Sequence, residues 1–141
     1  MVVSKSRPAS AHPSSTNDVP PKAVSANEIR FAVLAVDAAV ISVVAGEPRV
    51  LLIPVHMPPH FVHARGLPGG LIRPLETAEQ AVTRQLSEKC ALTGVYSEQL
   101  GTFSGVERDP RGRVVSVAYL ALLPEPVARA LPLGGASVGV K

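Results

Sequence analysis

The chain has 141 residues, 46% of them hydrophobic and 18% charged, enough for one globular domain with an interior and too little for two. Fourteen Lys and Arg against eleven Asp and Glu give a net charge of +3. The basic residues are scattered rather than set in a stripe or run, so nucleic acid is not the expected partner of this chain alone. With three Phe, two Tyr and no Trp, the core must be built from Val, Leu, Ile and Ala, which suits a β-rich or α/β interior. The most apolar runs, 38–46 and 114–123, are about ten residues each, against the ~20 a membrane helix needs. No apolar signal core follows Lys5 and Arg7, and the single cysteine, Cys90, has no partner for an intramolecular disulfide. A cytoplasmic protein is the expectation.

In chain order, residues 1–28 hold Pro8, Pro13, Pro20 and Pro21 with no recurring apolar position, which predicts a disordered tail. The stretch FAVLAVDAAVISVV, 31–44, is nearly continuous in apolar and β-branched residues and predicts a strand covered on both faces. Gly46-Glu47-Pro48 predicts a turn, Val50 to Ile53 a second strand ended by Pro54, and 54–66 a loop rich in Pro and His. His56, His60 and His63 have no thiolate or carboxylate near them in sequence, so they are expected as solvated side chains rather than metal ligands. Leu67-Pro68-Gly69-Gly70 reads as a glycine turn.

The spacing of Ala78, Ala81, Val82 and Leu86 predicts a helix over 77–91. Thr77 and Gln80 form a capping box at its start, and Gly94 is the expected residue at its end. Gln85, Glu88 and Lys89 fall at i, i+3 and i+4 and share one helix face. Two further strands are predicted over 96–103 and 113–122. They are joined as a hairpin through Asp109-Pro110-Arg111-Gly112, whose Pro and Gly positions suit a type I turn. The seventeen residues after Pro124 end in Gly-Gly-Ala-Ser-Val-Gly-Val and predict an irregular tail over 125–141. One domain over 29–124 remains.

The segment GGLIRPLETAEQAVTRQLSEKCAL resembles the signature box of the Nudix hydrolases. There a Gly is followed after five residues by Glu, and after seven more by Arg-Glu-hydrophobic-x-Glu-Glu-x-Gly-hydrophobic; Gly70, Glu76, Arg84, Leu86, Glu88 and Leu92 stand at matching positions without a gap. A long spaced pattern of this kind is far more specific than a lone glycine motif. The flanks LPGGLIRPLE and YSEQLGTFSGVERDPRGRVVSVAYLALLP resemble the ADP-ribose pyrophosphatase branch and the Nudix-related transcriptional regulators of NAD metabolism. The likeness covers roughly residues 31 to 124.

This resemblance implies an α/β/α sandwich with a mixed sheet, lacking the family's usual C-terminal strand and helix, a layer that a second copy in a homodimer would complete. It implies a nucleoside-diphosphate ligand such as ADP-ribose, Mg²⁺ as cofactor, and a Glu76–Arg84 pair holding the loop against the helix. Arg65, Gly69, Gly70, Arg73, Arg111 and Arg113 are the ligand-binding candidates. The family's three helix glutamates, however, read Gln85, Glu88 and Lys89. Catalytic and metal roles would fall to Glu88 and Glu76, helped by Glu107. Gln85 stands at the lost base position, and loss of a general base typically costs ~10² to 10⁴ in rate. Lys89 puts an ammonium where a hard cation wants an anionic oxygen. Ala91 replaces the helix-end glycine, Pro54-Val55 a basic pair, and Arg65 a tryptophan. The expectation is a domain that binds ADP-ribose or a related compound, with hydrolysis and Mg²⁺ binding weak or lost. The alternatives are a working Mg²⁺-dependent pyrophosphohydrolase and the effector part of a transcriptional regulator, although this chain has no helix-turn-helix pattern.

Overall fold

The computed structural model describes residues 32–131 and the backbone of 137–139; the tail expected over 1–28 lies outside the described residues. The apolar run forms the central strand β1, Val33–Val44. Its inward face is closed, with Val36, Ala38 and Val40 at 0–2% exposure. Its other face is only partly covered: Asp37, Ala39 and Ile41 are half-buried and Val43 is 56% exposed. The expected cover on both faces is therefore present on one.

The strand β2, Glu47–Leu51, folds back antiparallel on β1. The turn is Ala45-Gly46, both at positive φ, the geometry that matches the twist of paired strands; Glu47 and Pro48, expected in the turn, already belong to the strand. The hairpin of β6, Ser97–Phe103, and β7, Val114–Leu122, forms as expected. Gly112 N donates to Asp109 O at 3.2 Å to close its turn. Parallel pairing of β7 with β1, from Val33↔Val114 to Ile41↔Leu122, makes the sheet mixed.

Three expectations change. The Pro- and His-rich stretch is a separate two-stranded sheet of β3, Ile53–Met57, and β4, Phe61–Gly66. Pro54 sits in β3 opposite Arg65; each strand of a two-stranded sheet has an unpaired edge, where a missing N–H is tolerated. The glycine turn is a short strand, β5, Gly69–Leu71, antiparallel to β1 with Asp37↔Gly69. Finally, the tail expected to be irregular contains the helical turn α2, Glu125–Arg129, and the strand β8, Ser137–Gly139, which pairs with β2. Pro124 and Pro126 suit the first turn of a helix, and Glu125 accepts from Ala45 N at 3.2 Å, fixing α2 to the β1–β2 turn.

The helix α1, Ala78–Cys90, carries the expected capping box: Thr77 Oγ1 accepts from Gln80 N at 3.2 Å and Gln80 Oε1 from Thr77 N at 2.9 Å. Its stripe of Ala81, Val82, Leu86 and Cys90 packs in one core with Val36, Ala38, Val40, Tyr119 and Ala121. It ends in Ala91, left-handed at φ 54, three residues before the expected Gly94. Leu92 N donates to Leu86 O and Ala91 N to Ser87 O, both at 3.1 Å, which satisfies the last carbonyls of the helix. Among the described residues no helix is long and apolar enough to cross a membrane.

Candidate functional site

A cleft of about 850 Å³ opens between the β3–β4 hairpin, the half-open face of β1 with β5, and the loop that joins β6 to β7. Its charged lining consists of Lys89, Arg65, Arg108 and Arg111 against Asp37 and Asp109. Four cations against two carboxylates leave an excess of two positive charges.

Two of these cations are already paired. Arg108 lies 3.7 Å from Asp37, which also accepts from Ser116 Oγ. Arg111 binds Asp109 through Nε at 2.9 Å and Nη2 at 2.7 Å, stacks 5.6 Å above the Phe61 ring, and donates to Met57 Sδ at 2.9 Å. It thereby fastens the β6–β7 loop to the β3–β4 hairpin. The Arg111 guanidinium holds the Asp109 carboxyl down at about 2. Arg65, on β4, and Lys89, in the last turn of α1, have no carboxylate partner among the described residues.

The box residues sit beside this cleft, each held by a neighbour. Arg84 grips both oxygens of Glu76, and its Nη2 also donates to Leu71 O at 3.0 Å. Glu76 accepts in addition from Arg73 N at 3.0 Å, and chiefly through Arg84 its carboxyl is lowered from 4.5 to about 2. The loop is thus tied to the helix as the resemblance implied. Glu88 lies between Arg73 at 3.6 Å and Arg84 at 3.4 Å.

Gln85 is buried and lies on Gly70: a Cβ there would fall 2.8 Å from Gln85 Cδ, so a larger residue at this position requires the Gln85 side chain to shift. Gln85 Oε1 has no hydrogen-bond partner among the described residues. The Lys89 ammonium donates to the Gly69 carbonyl. Burial raises the Cys90 thiol pKa, consistent with an inert small residue.

Of the residues expected to bind ligand, Arg65, Gly69, Gly70 and Arg111 line the cleft. Arg73 and Arg113 lie outside the lining: Arg73 faces Glu88, and Arg113 Nη1 donates to Ser104 O at 2.7 Å and Gly105 O at 3.1 Å within its own loop. Glu107 is exposed and also outside it. His56, His60 and His63 are exposed as expected, with the His56 and His63 rings 5.7 Å apart across the hairpin. Among the described residues no three His, Cys, Asp or Glu side chains gather as a metal site. Sequence reasoning missed Asp37, Arg108 and Asp109. The signal for Asp37 was present, since it is the one charged residue in the run 31–44.

The NUDIX domain family pattern matches residues 33–134, and the chain belongs to the Nudix family. It is similar to an ADP-ribose pyrophosphatase of Methanocaldococcus jannaschii, with 35% identity over 82 residues, covering 58% of this chain and 48% of that protein. It is also similar to an ADPR responsive transcriptional repressor, NtrR, of Acinetobacter baylyi, with 36% identity over 93 residues, covering 64% of this chain and 36% of the relative. The chain thus spans less than half the length of these curated relatives. Among solved structures it is similar to the NUDIX domain of Shewanella oneidensis NrtR complexed with ADP ribose. That likeness has a TM-score of 0.67 and 35% identity, covering 83% of this chain and 75% of the other.

Proposed function

We propose that this domain binds ADP-ribose, or a related nucleoside-diphosphate compound, and cleaves it weakly or not at all. The observation that carries the reading is the contrast within one site. The cleft has an excess of two positive charges, the number that a diphosphate linkage carries in negative charge, while the catalytic positions are occupied or neutral. Gln85 cannot take a proton from water, Glu76 and Glu88 face guanidiniums, and Lys89 places its ammonium on the Gly69 carbonyl.

This donor set fits Mg²⁺ poorly, because a hard cation wants several anionic oxygens and would here compete with Arg84 for Glu76 and with Arg73 and Arg84 for Glu88. Mg²⁺ binding is accordingly weak or absent in this reading. The likeness to an NrtR NUDIX domain in complex with ADP ribose supports the ligand. A ³¹P NMR time course of ADP-ribose with the protein and Mg²⁺ tests the reading. Shifted or broadened diphosphate signals without conversion are expected; growth of phosphomonoester signals beyond a no-protein control would make the domain a working hydrolase.

The likeness to an ADPR responsive transcriptional repressor favours a sensing role, in which the bound nucleotide is an effector and DNA contacts lie outside this domain. The second reading, an active pyrophosphohydrolase with Glu88, Glu76 and Glu107 holding Mg²⁺, is favoured by the likeness to an ADP-ribose pyrophosphatase. A homodimer belongs to the proposal too: Val43 is 56% and Leu122 69% exposed on the half-open sheet face, a surface that a second copy would cover. Sedimentation at several concentrations checks it. A cytoplasmic setting, where such nucleotides occur, completes the reading.

A further inference from the structure

We propose that the Lys89 ammonium stands in the cleft as a built-in cation, so that the pocket takes the diphosphate of its ligand without a divalent metal. This rests on the ligand reading above and goes beyond it, because it assigns the charge that a metal would otherwise bring.

Three observations place Lys89 in that role. It occupies the last turn of α1, where the partial negative charge of the helix end favours a cation. Its ammonium is held rather than free: it donates to the carbonyl of Gly69, a buried residue fixed in register with Asp37 on the central strand. An ammonium has three donors. One is spent on Gly69, and two remain for phosphate oxygens on a cleft wall that Lys89 itself lines. Finally, the other cleft cations divide into committed and uncommitted groups. Arg108 and Arg111 already face Asp37 and Asp109, whereas Lys89 and Arg65 face no carboxylate among the described residues. The two uncommitted cations match the two charges of a diphosphate. An ammonium fixed on the Gly69 carbonyl would also repel a divalent ion from the same oxygen, so the two arrangements exclude each other.

Two measurements on the whole chain test this. Calorimetric titration with ADP-ribose is run with EDTA and again with Mg²⁺, on the wild type and on Lys89→Gln and Gln85→Glu/Lys89→Glu variants checked for folding by circular dichroism. Equal wild-type affinity in both buffers is expected. Lys89→Gln should weaken binding about 10- to 100-fold in both, the range for losing a charged hydrogen bond, and the double variant should bind only with Mg²⁺. In the second measurement Mn²⁺ is titrated into the ligand-free proteins and free Mn²⁺ is followed by its six-line EPR spectrum. The wild type should leave the spectrum at full strength, while the double variant should diminish it.

Wild-type binding that disappears in EDTA overturns the built-in cation while leaving ADP-ribose as ligand. A wild type that itself depletes Mn²⁺ overturns it as well. No heat from ADP-ribose in either buffer overturns the ligand reading, and the Mn²⁺ titration then decides the role of Lys89 alone.

Discussion

Arg84 holds Glu76 through two parallel bonds, Nε to Oε1 at 2.6 Å and Nη2 to Oε2 at 2.8 Å. The same guanidinium reaches Leu71 O and Glu88, so one side chain of α1 fixes β5, the loop after it and the helix face. The folded carboxyl of Glu76 titrates at about 2 against an ordinary 4.5. A carboxyl depressed by folding stabilises above its unfolded pKa and loses that contribution as pH falls through the folded value. The pair therefore acts in full at neutral pH and fades between about 4.5 and about 2. Melting temperatures of the wild type and Glu76→Gln should differ by several degrees above pH ~5 and converge toward pH ~2. A gap that does not change with pH would show that the pair does not act through this charge.

Ala91 takes the left-handed position that ends α1 at φ 54, where a side chain is strained and glycine is not. Ala91→Gly should therefore stabilise the domain by about 1 kcal/mol although it removes a methyl group. Thr77→Ala, which removes the capping box at the other end, should cost about 1 kcal/mol. Urea melts with unchanged slope check both, and destabilisation by Ala91→Gly would contradict the strain argument.

Gly70 and Gln85 share one space. Gly70→Ala should cost about 1–3 kcal/mol by overpacking, and less than about 0.5 kcal/mol when Gln85 is already alanine, a coupling that a double-mutant cycle measures. Gly69→Ala should find no such rescue, because its added Cβ meets backbone, the Val36 carbonyl and Asp37 Cα. Equal cost of Gly70→Ala in both backgrounds would sink the idea.

The arginines divide by position. Arg65→Ala should weaken ADP-ribose binding about tenfold or more, the range for a lost charge-assisted contact. Arg73→Ala and Arg113→Ala, which lie outside the cleft lining, should change it less than about twofold, as exposed or locally engaged groups do. Fluorescence anisotropy with a labelled ADP-ribose ranks them, and the reverse order would move the ligand toward the box helix.

What could be read in advance followed from range along the chain. The capping box and the helical stripe belong to one helix and were legible because local geometry decides them, whereas the Arg84–Glu76 pair was legible only through the resemblance to the signature box. The β6–β7 hairpin was legible because its Pro and Gly sit at positions that define a turn. The β3–β4 hairpin was not, because Pro54, Pro58 and Pro59 interrupt an otherwise alternating pattern and the pairing depends on an edge that only the fold supplies. Asp37 enters the cleft through its register with Gly69, more than thirty residues away. Lys89 meets the Gly69 carbonyl twenty residues back. Long-range register of this kind is invisible to periodicity, so the helix was readable and Arg65, Arg111 and Lys89 stood out through the box and its flanks, while Asp37, Arg108 and Asp109, half of the cleft's charged groups, did not.

Restoring the two altered helix carboxylates separates a site that has lost its chemistry from a cleft that was reshaped for binding. Gln85→Glu should return a general base, whose loss typically costs ~10² to 10⁴ in rate. Lys89→Glu should remove the ammonium from the Gly69 carbonyl and give a divalent ion an anionic oxygen. Glu88 would still lie between Arg73 and Arg84, so adding Arg73→Ala should raise turnover further by freeing one of its contacts. Phosphate release from ADP-ribose in the presence of a phosphatase, compared with wild type at equal Mg²⁺, should therefore increase in the double variant and again in the triple. Folded variants that bind the nucleotide yet show no gain would mean that the cleft now seats the diphosphate away from these carboxylates, and that binding alone is what its geometry serves.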